Sequence, residues 1–167
     1  RFITEEVPAQ TQLLKAGKIE RYVYFLSTGI VKGYQNLDGK IVVQHLVPEQ
    51  DFFTSLDSFM SQTPSLDYYE TITDCKLVKI SKPDFDFLQL NTSFWNDFVK
   101  NVTNDHLSCK LERVKDFQVL TAKERYLDLL KRSDLIFRVP LKDLSLFLGI
   151  TPQSLSRIRK EISTAKV

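Results

Sequence analysis

The chain has 167 residues, 43% of them hydrophobic and 26% charged, a composition suited to an ordinary globular protein with room for two small cores. No apolar run approaches the roughly 18 to 20 residues that span a bilayer, no charged-then-apolar leader opens the chain, and the expected location is the cytoplasm. The net charge of +2 hides an asymmetry: residues 1–116 hold 13 basic and 16 acidic side chains, whereas residues 117–167 hold 10 and 5, so the positive field sits in the C-terminal third, as a phosphate-binding surface requires.

From Ile3 to about Ile80, short β-branched and aromatic runs (RYVYFLSTG, GIVKGYQ, KIVVQHLV, ETITDCKLVKI) alternate with turn signals at Thr28-Gly29, Asp38-Gly39 and Pro48-Glu49. That spacing predicts a β-sandwich or jelly roll over residues 1–90. Asp38-Gly39 is the clearest hairpin, because both residues tolerate the positive φ of a tight primed turn between Val31–Leu37 and Ile41–Val47.

The period then becomes helical near Ser81-Lys82-Pro83-Asp84, with a break at Asn91-Thr92-Ser93. Between Ser93 and Lys115 there is neither Gly nor Pro, and Phe94, Phe98, Val102, Leu107, Leu111 and Val114 recur at three- to five-residue steps. One helix of about 20 residues, about 30 Å long, is expected over the region 91–116. It is too long for a small sandwich to cover, so Phe98, Val102, Leu107, Leu111 and Val114 are expected to pack on a second copy, making a homodimer.

The third region, 117–167, opens with the capping-box signature Thr121-Ala122-Lys123-Glu124 and an amphipathic helix carrying Tyr126, Leu127, Leu129 and Leu130. Ile136–Val139 reads as a short strand. Pro140 opens a helix with Leu144, Phe147 and Leu148 that Gly149 ends; Thr151 caps and Pro152 starts another two residues later. Helix, short glycine turn, helix is the helix-turn-helix pattern. On the second helix Leu155, Ile158 and Ile162 form one core stripe, so Gln153, Ser156, Arg157 and Lys160 project oppositely, with Ser154 and Arg159 on the flanks. Gln and Arg hydrogen-bond base edges, while Ser, Thr and Lys more often hold phosphates, which makes Thr151, Gln153, Ser154, Ser156, Arg157 and Lys160 the candidate DNA-binding set.

The segment RVPLKDLSLFLGITPQSLSRIRKEI resembles the helix-turn-helix of the cyclic-AMP receptor protein and fumarate-nitrate regulator (Crp/Fnr) superfamily, especially the versions found in Bacteroidetes. The resemblance rests on Leu144, Leu148-Gly149-Ile150-Thr151, Ser154, Ser156-Arg157 and Ile158, and the order of regions extends it over nearly the whole chain. It implies an α+β architecture: a cyclic-nucleotide-binding-type sandwich, a dimerisation helix and a C-terminal winged helix-turn-helix that meets double-stranded DNA, with RNA polymerase as a further partner. By position Gln153, Ser154 and Arg157 look like the family's base-contacting residues, and Pro152 departs from the basic residue of some members.

The sensor segment QDFFTSLDSFMSQTPSLDYYETITDC departs further. Thr54 and Ser55 stand where cyclic-nucleotide-binding members have a Gly-Glu pair, and no Arg or Lys occurs from Ile41 to Glu70 to neutralise a cyclic phosphate. A buried phosphate without a cation carries a large desolvation penalty, so cyclic AMP is not expected to bind by the family's usual contacts. Phe53, Thr54, Ser55, Leu56, Ser65 and Leu66 are the candidate effector-pocket residues, for an effector the sequence does not name. The alternatives are a haem or metal sensor using His106, Cys109, His45 and Cys75, and a protein-interaction module that has lost DNA binding. No metal or cofactor is expected: the two cysteines lie 34 residues apart without CxxC spacing. Nor is an enzyme, since no phosphate-cradling Gly-rich loop, HExxH or GxSxG occurs.

Overall fold

The computed structural model describes residues 1–164; the last three residues of the expected third region lie outside the described residues. Eight strands come first: β1 (Phe2–Val7), β2 (Gln12–Leu14), β3 (Tyr22–Thr28), β4 (Val31–Leu37), β5 (Lys40–Val47), β6 (Asp51–Phe53), β7 (Tyr68–Thr71) and β8 (Cys75–Ser81), with a short helix α1 (Leu56–Ser61) between β6 and β7. They form two antiparallel four-stranded sheets, ordered β1-β8-β3-β6 and β2-β7-β4-β5. This is the expected sandwich. Its core is the layer of Leu14, Tyr24, Leu26, Val31, Val47, Phe53, Tyr69 and Leu77. The β4–β5 hairpin closes at Asp38 and Gly39, with φ values of 53° and 91°, the double positive φ of a primed turn.

Helix α2 (Lys82–Asn91) is capped by Ser81, whose hydroxyl accepts from the Asp84 amide, with proline in its first turn. After the break at Thr92 comes α3 (Ser93–Val119), 27 residues long, so the helix overruns its expected end at Lys115 by one turn and reaches about 40 Å. A third apolar cluster, Phe59, Ile80 and Phe85 with Trp95 and Val99, seats α2 and the start of α3 on the sandwich.

Every element after Val119 is helical: α4 (Ala122–Arg132), α5 (Leu135–Arg138), α6 (Leu141–Leu148) and α7 (Pro152–Thr164). The capping box at Thr121 forms in both directions with Glu124. The strand expected at Ile136–Val139 is instead the single turn α5. Leu135, Ile136 and Val139 are buried while Phe137 and Arg138 face out, and bonds from the Phe137 amide to the Asp134 carbonyl and from the Val139 amide to the Leu135 carbonyl close the turn. Burial at positions one, two and five is a helical pattern that no alternating strand satisfies. No strand follows Ser81 among the described residues, so the expected wing does not occur in residues 117–164.

Candidate nucleic-acid interface and sensor site

Helix α7 is held from below. Leu155 is fully buried, and Ile158 and Ile162 pack on the same cluster with Leu144 and Leu148 of α6. Gly149 ends α6 at φ 71°, a conformation that costs glycine little, and the Phe117 ring lies 2.9 Å from where a Cβ would stand. The three-residue connection leads to Thr151, whose Oγ1 accepts from the Ser154 amide at 3.1 Å and whose hydroxyl donates to Ser154 Oγ at 3.0 Å.

With the core stripe turned in, Thr151, Gln153, Ser156, Arg157 and Lys160 are exposed and Ser154 is half-buried. All six expected side chains therefore lie on or beside the open face of one helix. Arg157 makes only a long contact with Ser154 Oγ, at 3.5 Å, and among the described residues neither Arg157 nor Lys160 has an acidic partner. Arg159 differs. Its Nε donates to the Tyr126 hydroxyl at 3.2 Å and its Nη2 to the Ile136 carbonyl at 3.3 Å, so it braces α7 against α4 and α5. The sequence signal was its spacing of four residues from Leu155.

In the sandwich, the residues at the expected effector site satisfy one another. Ser65 donates to Ser55 Oγ at 2.8 Å, Ser55 donates to Asp67 Oδ2 at 2.6 Å, and the Asp67 amide returns to Ser65 Oγ at 2.8 Å. Gln35 Nε2 donates to the other Asp67 oxygen at 2.7 Å. Thr54 Oγ1 donates to the Tyr22 carbonyl, and the Tyr69 hydroxyl to the Thr54 carbonyl. Phe53 stacks on Tyr24 at 4.8 Å, filling the space between the sheets, while Leu56 and Leu66 point outward and do not join the others. A carboxylate at the centre, with the buried Glu20 nearby, makes the place hostile to an anion. Sequence reasoning missed Asp67, although it lies two residues after Ser65, and Gln35 and Glu20, which β4 and the segment before β3 bring in.

A cleft of about 610 Å³ adjoins this site, with Tyr24, Phe53, Thr54, Leu56 and Tyr69 among its lining, and runs between β5 and β6 on one side and α3 on the other, reaching α4 and α6 at its far end. Phe52, Phe98 and Val102 line one end; Arg113, Arg125 and Phe147 line the other. His45, His106 and Cys109 also line it, but Cys75 is buried in the sandwich core, and no cluster of three or more metal-binding side chains occurs among the described residues. Burial, reinforced by Lys110 and Arg113, pushes His45 down to about 4 and keeps it neutral.

A two-sheet roll with a short helix before its seventh strand, running into a long helix, is the architecture of a cyclic-nucleotide-binding-type domain. The chain belongs to the cyclic nucleotide-binding domain family, whose model matches residues 4–91. Among solved structures, FixK2 from Bradyrhizobium japonicum is similar with a TM-score of 0.84 at 19% identity, over 100% of this chain and 87% of its own. The c-di-GMP responsive global regulator CLP of Xanthomonas campestris gives 0.76 at 17%, over 99% and 88%. The catabolite activator protein of Thermus thermophilus gives 0.60 at 15%, over 99% and 80%. At such identities the likeness is one of fold. Among curated protein sequences none is a significant match. No helix of the described residues is long and apolar enough to cross a membrane.

Proposed function

We propose that the protein is a homodimeric, sequence-specific transcription regulator of the Crp/Fnr type, in which α7 enters the major groove and which does not respond to cyclic AMP through the family's usual contacts. The observation that carries this reading is the open face of α7: Gln153, Ser156, Arg157 and Lys160 stand exposed on a helix whose opposite side is locked by Leu155. An uncompensated Arg and Lys beside a Gln is the equipment of groove reading, because guanidinium and amide groups match base edges two bonds at a time. The Ser55–Ser65–Asp67 network supports the second clause, since a phosphate placed there would meet a carboxylate and no cation.

A two-fold dimer reads a palindrome whose halves lie about one helical turn apart, or a multiple of it. Arg157→Ala is expected to cost about 1 to 3 kcal/mol and to relax preference at one base pair per half-site. Lys160→Ala is expected to weaken binding to all sequences alike and to reduce the salt slope by about one unit per site, since one fewer counterion is released. Selection from a random DNA pool, followed by binding at several salt concentrations, separates the two. Equal losses on selected and random DNA for Arg157→Ala would remove base reading from that residue.

A further inference from the structure

The cleft beside α3 has two chemically different ends. Near the start of the helix, Phe98 meets Phe52 edge-on at 5.4 Å and packs on Trp95 at 5.5 Å, with Val102 one turn further along. Fifteen residues beyond Phe98, about 22 Å along the axis, stands Arg113. Its guanidinium lies 3.8 Å over Phe147 and 4.9 Å from Phe117, and Arg125 lies 4.2 Å over the same Phe117 ring. Two guanidinium groups thus share one aromatic ring.

Neither charge is answered. Arg113 Nη2 donates to the Val43 and Phe147 carbonyls at 3.2 and 2.7 Å; Arg125 donates to the Leu120 and Leu148 carbonyls at 2.6 and 3.0 Å. Arg125 Nε is buried with no partner. Burial first, and then Arg125, lowers Arg113 to about 10, while Asp116 pulls the other way without bonding to it. Of the other acids lining this end, Asp128 and Glu112 face Arg132, at 2.9 and 3.8 Å. Half-buried like charges held only by carbonyls are electrostatically incomplete, and an incoming anion would complete them.

We propose that this cleft binds an elongated apolar molecule with a single carboxylate, a long-chain fatty acid in chemical class, its chain against Phe52, Phe98 and Val102 and its head at Arg113 and Arg125. The volume suits a ligand of that size, and mostly apolar walls with a few convergent polar groups are the usual make-up of such sites. The proposal rests on the regulator reading for its meaning. Arg113 bonds one carbonyl of the sensor sheet and one of α6, so a carboxylate drawn to it competes for the contact that sets α6 against β5.

Trp95, the only tryptophan, lines the cleft and reports on its filling. Titration of the protein with palmitate, hexadecanol and cyclic AMP, followed by Trp95 fluorescence and native mass spectrometry, is the test. Palmitate is expected to give a saturable change at one molecule per chain, about tenfold or more tighter than hexadecanol because of the charged head. Arg113→Gln is expected to erase the preference for the acid. Val102→Phe, which leaves the arginines untouched and narrows the apolar end, is expected to weaken both ligands, with circular dichroism showing either variant folded. Equal affinity for acid and alcohol, no saturable change with palmitate, or cyclic AMP alone filling the cleft would each overturn the proposal. DNA binding by the same preparation with and without palmitate tests the regulator reading separately: its absence in both states would remove that reading and leave the ligand site standing.

Discussion

Two side chains, the buried Glu20 and the half-buried His45, are set to titrate in opposite senses. Glu20, 2% exposed, accepts from the Arg21 and Tyr22 amides through Oε1 at 2.9 and 3.0 Å, but its Oε2 has no partner, and burial raises it from the usual 4.5 to about 7. A carboxyl raised on folding favours the fold most below its unfolded value, so its contribution is lost as pH climbs from 4.5 towards 7. His45 is lowered from 6.5 to about 4, so its contribution is present above 6.5 and lost as pH falls towards 4. Between these limits the two slopes oppose. Glu20→Gln is expected to leave a stability that rises with pH across the window, and His45→Asn one that falls, each by a few kcal/mol. Urea midpoints measured across the window check this; a wild-type slope as steep as either variant's would contradict the pairing. The α7 residues were legible in the sequence because one helix supplies them all, and helical spacing alone sorts inside from outside. Glu20, Asp67 and Gln35 were not, because segments far apart in the chain bring them together.

At the scale of elements, α3 carries two apolar stripes where the spacing suggested one. Phe98 and Val102 face their own sandwich, while Leu107, Leu111 and Val114 are 54%, 61% and 56% exposed on the opposite side. The sequence held the reason. The five-residue step from Val102 to Leu107 turns about 140° around the axis, against the 40 to 60° offset of three- and four-residue steps. A dimer built on this helix therefore uses the outer stripe. Leu107→Asp and Leu111→Asp are expected to yield folded monomers in sedimentation, whereas Val102→Asp is expected to lower stability without separating subunits. A Leu111→Asp protein of unchanged mass would sink the dimer assignment. The turn α5 was misread for a related reason: four apolar or long side chains in a row fit a strand on type alone, and only their tertiary neighbours decide which of them are buried.

For the molecule as a whole, the sandwich and the helical region share a core. Ile30, fully buried in the β3–β4 turn, packs with Tyr126, Ile136, Val139, Leu144 and Leu155, and Leu46 and Ile72 flank it. Lys32 bridges Glu70 and Asp143, each at 3.0 Å, and Arg138 reaches Glu49 at 2.9 Å. The two pairs that cross to the helical region, Lys32–Asp143 and Arg138–Glu49, lie 111 and 89 residues apart in the chain, so no local pattern announces them. Ile30→Ala is expected to cost about 2 to 5 kcal/mol, and Trp95 fluorescence and helical dichroism are expected to lose signal together. Two separated transitions in the wild type would show that the halves fold independently.

The Phe117 ring under Gly149 has its own consequence. It stands near the end of α3 and touches the backbone of the turn that aims α7. A methyl group at 149 would collide with it, so the joint has almost no clearance. A joint without play transmits rotation. If α3 rolls by a few degrees about its axis, the ring presses on the turn, and α7 must change its pitch or the contact must break. Any twist of α3 would thus reach α7 through a glycine.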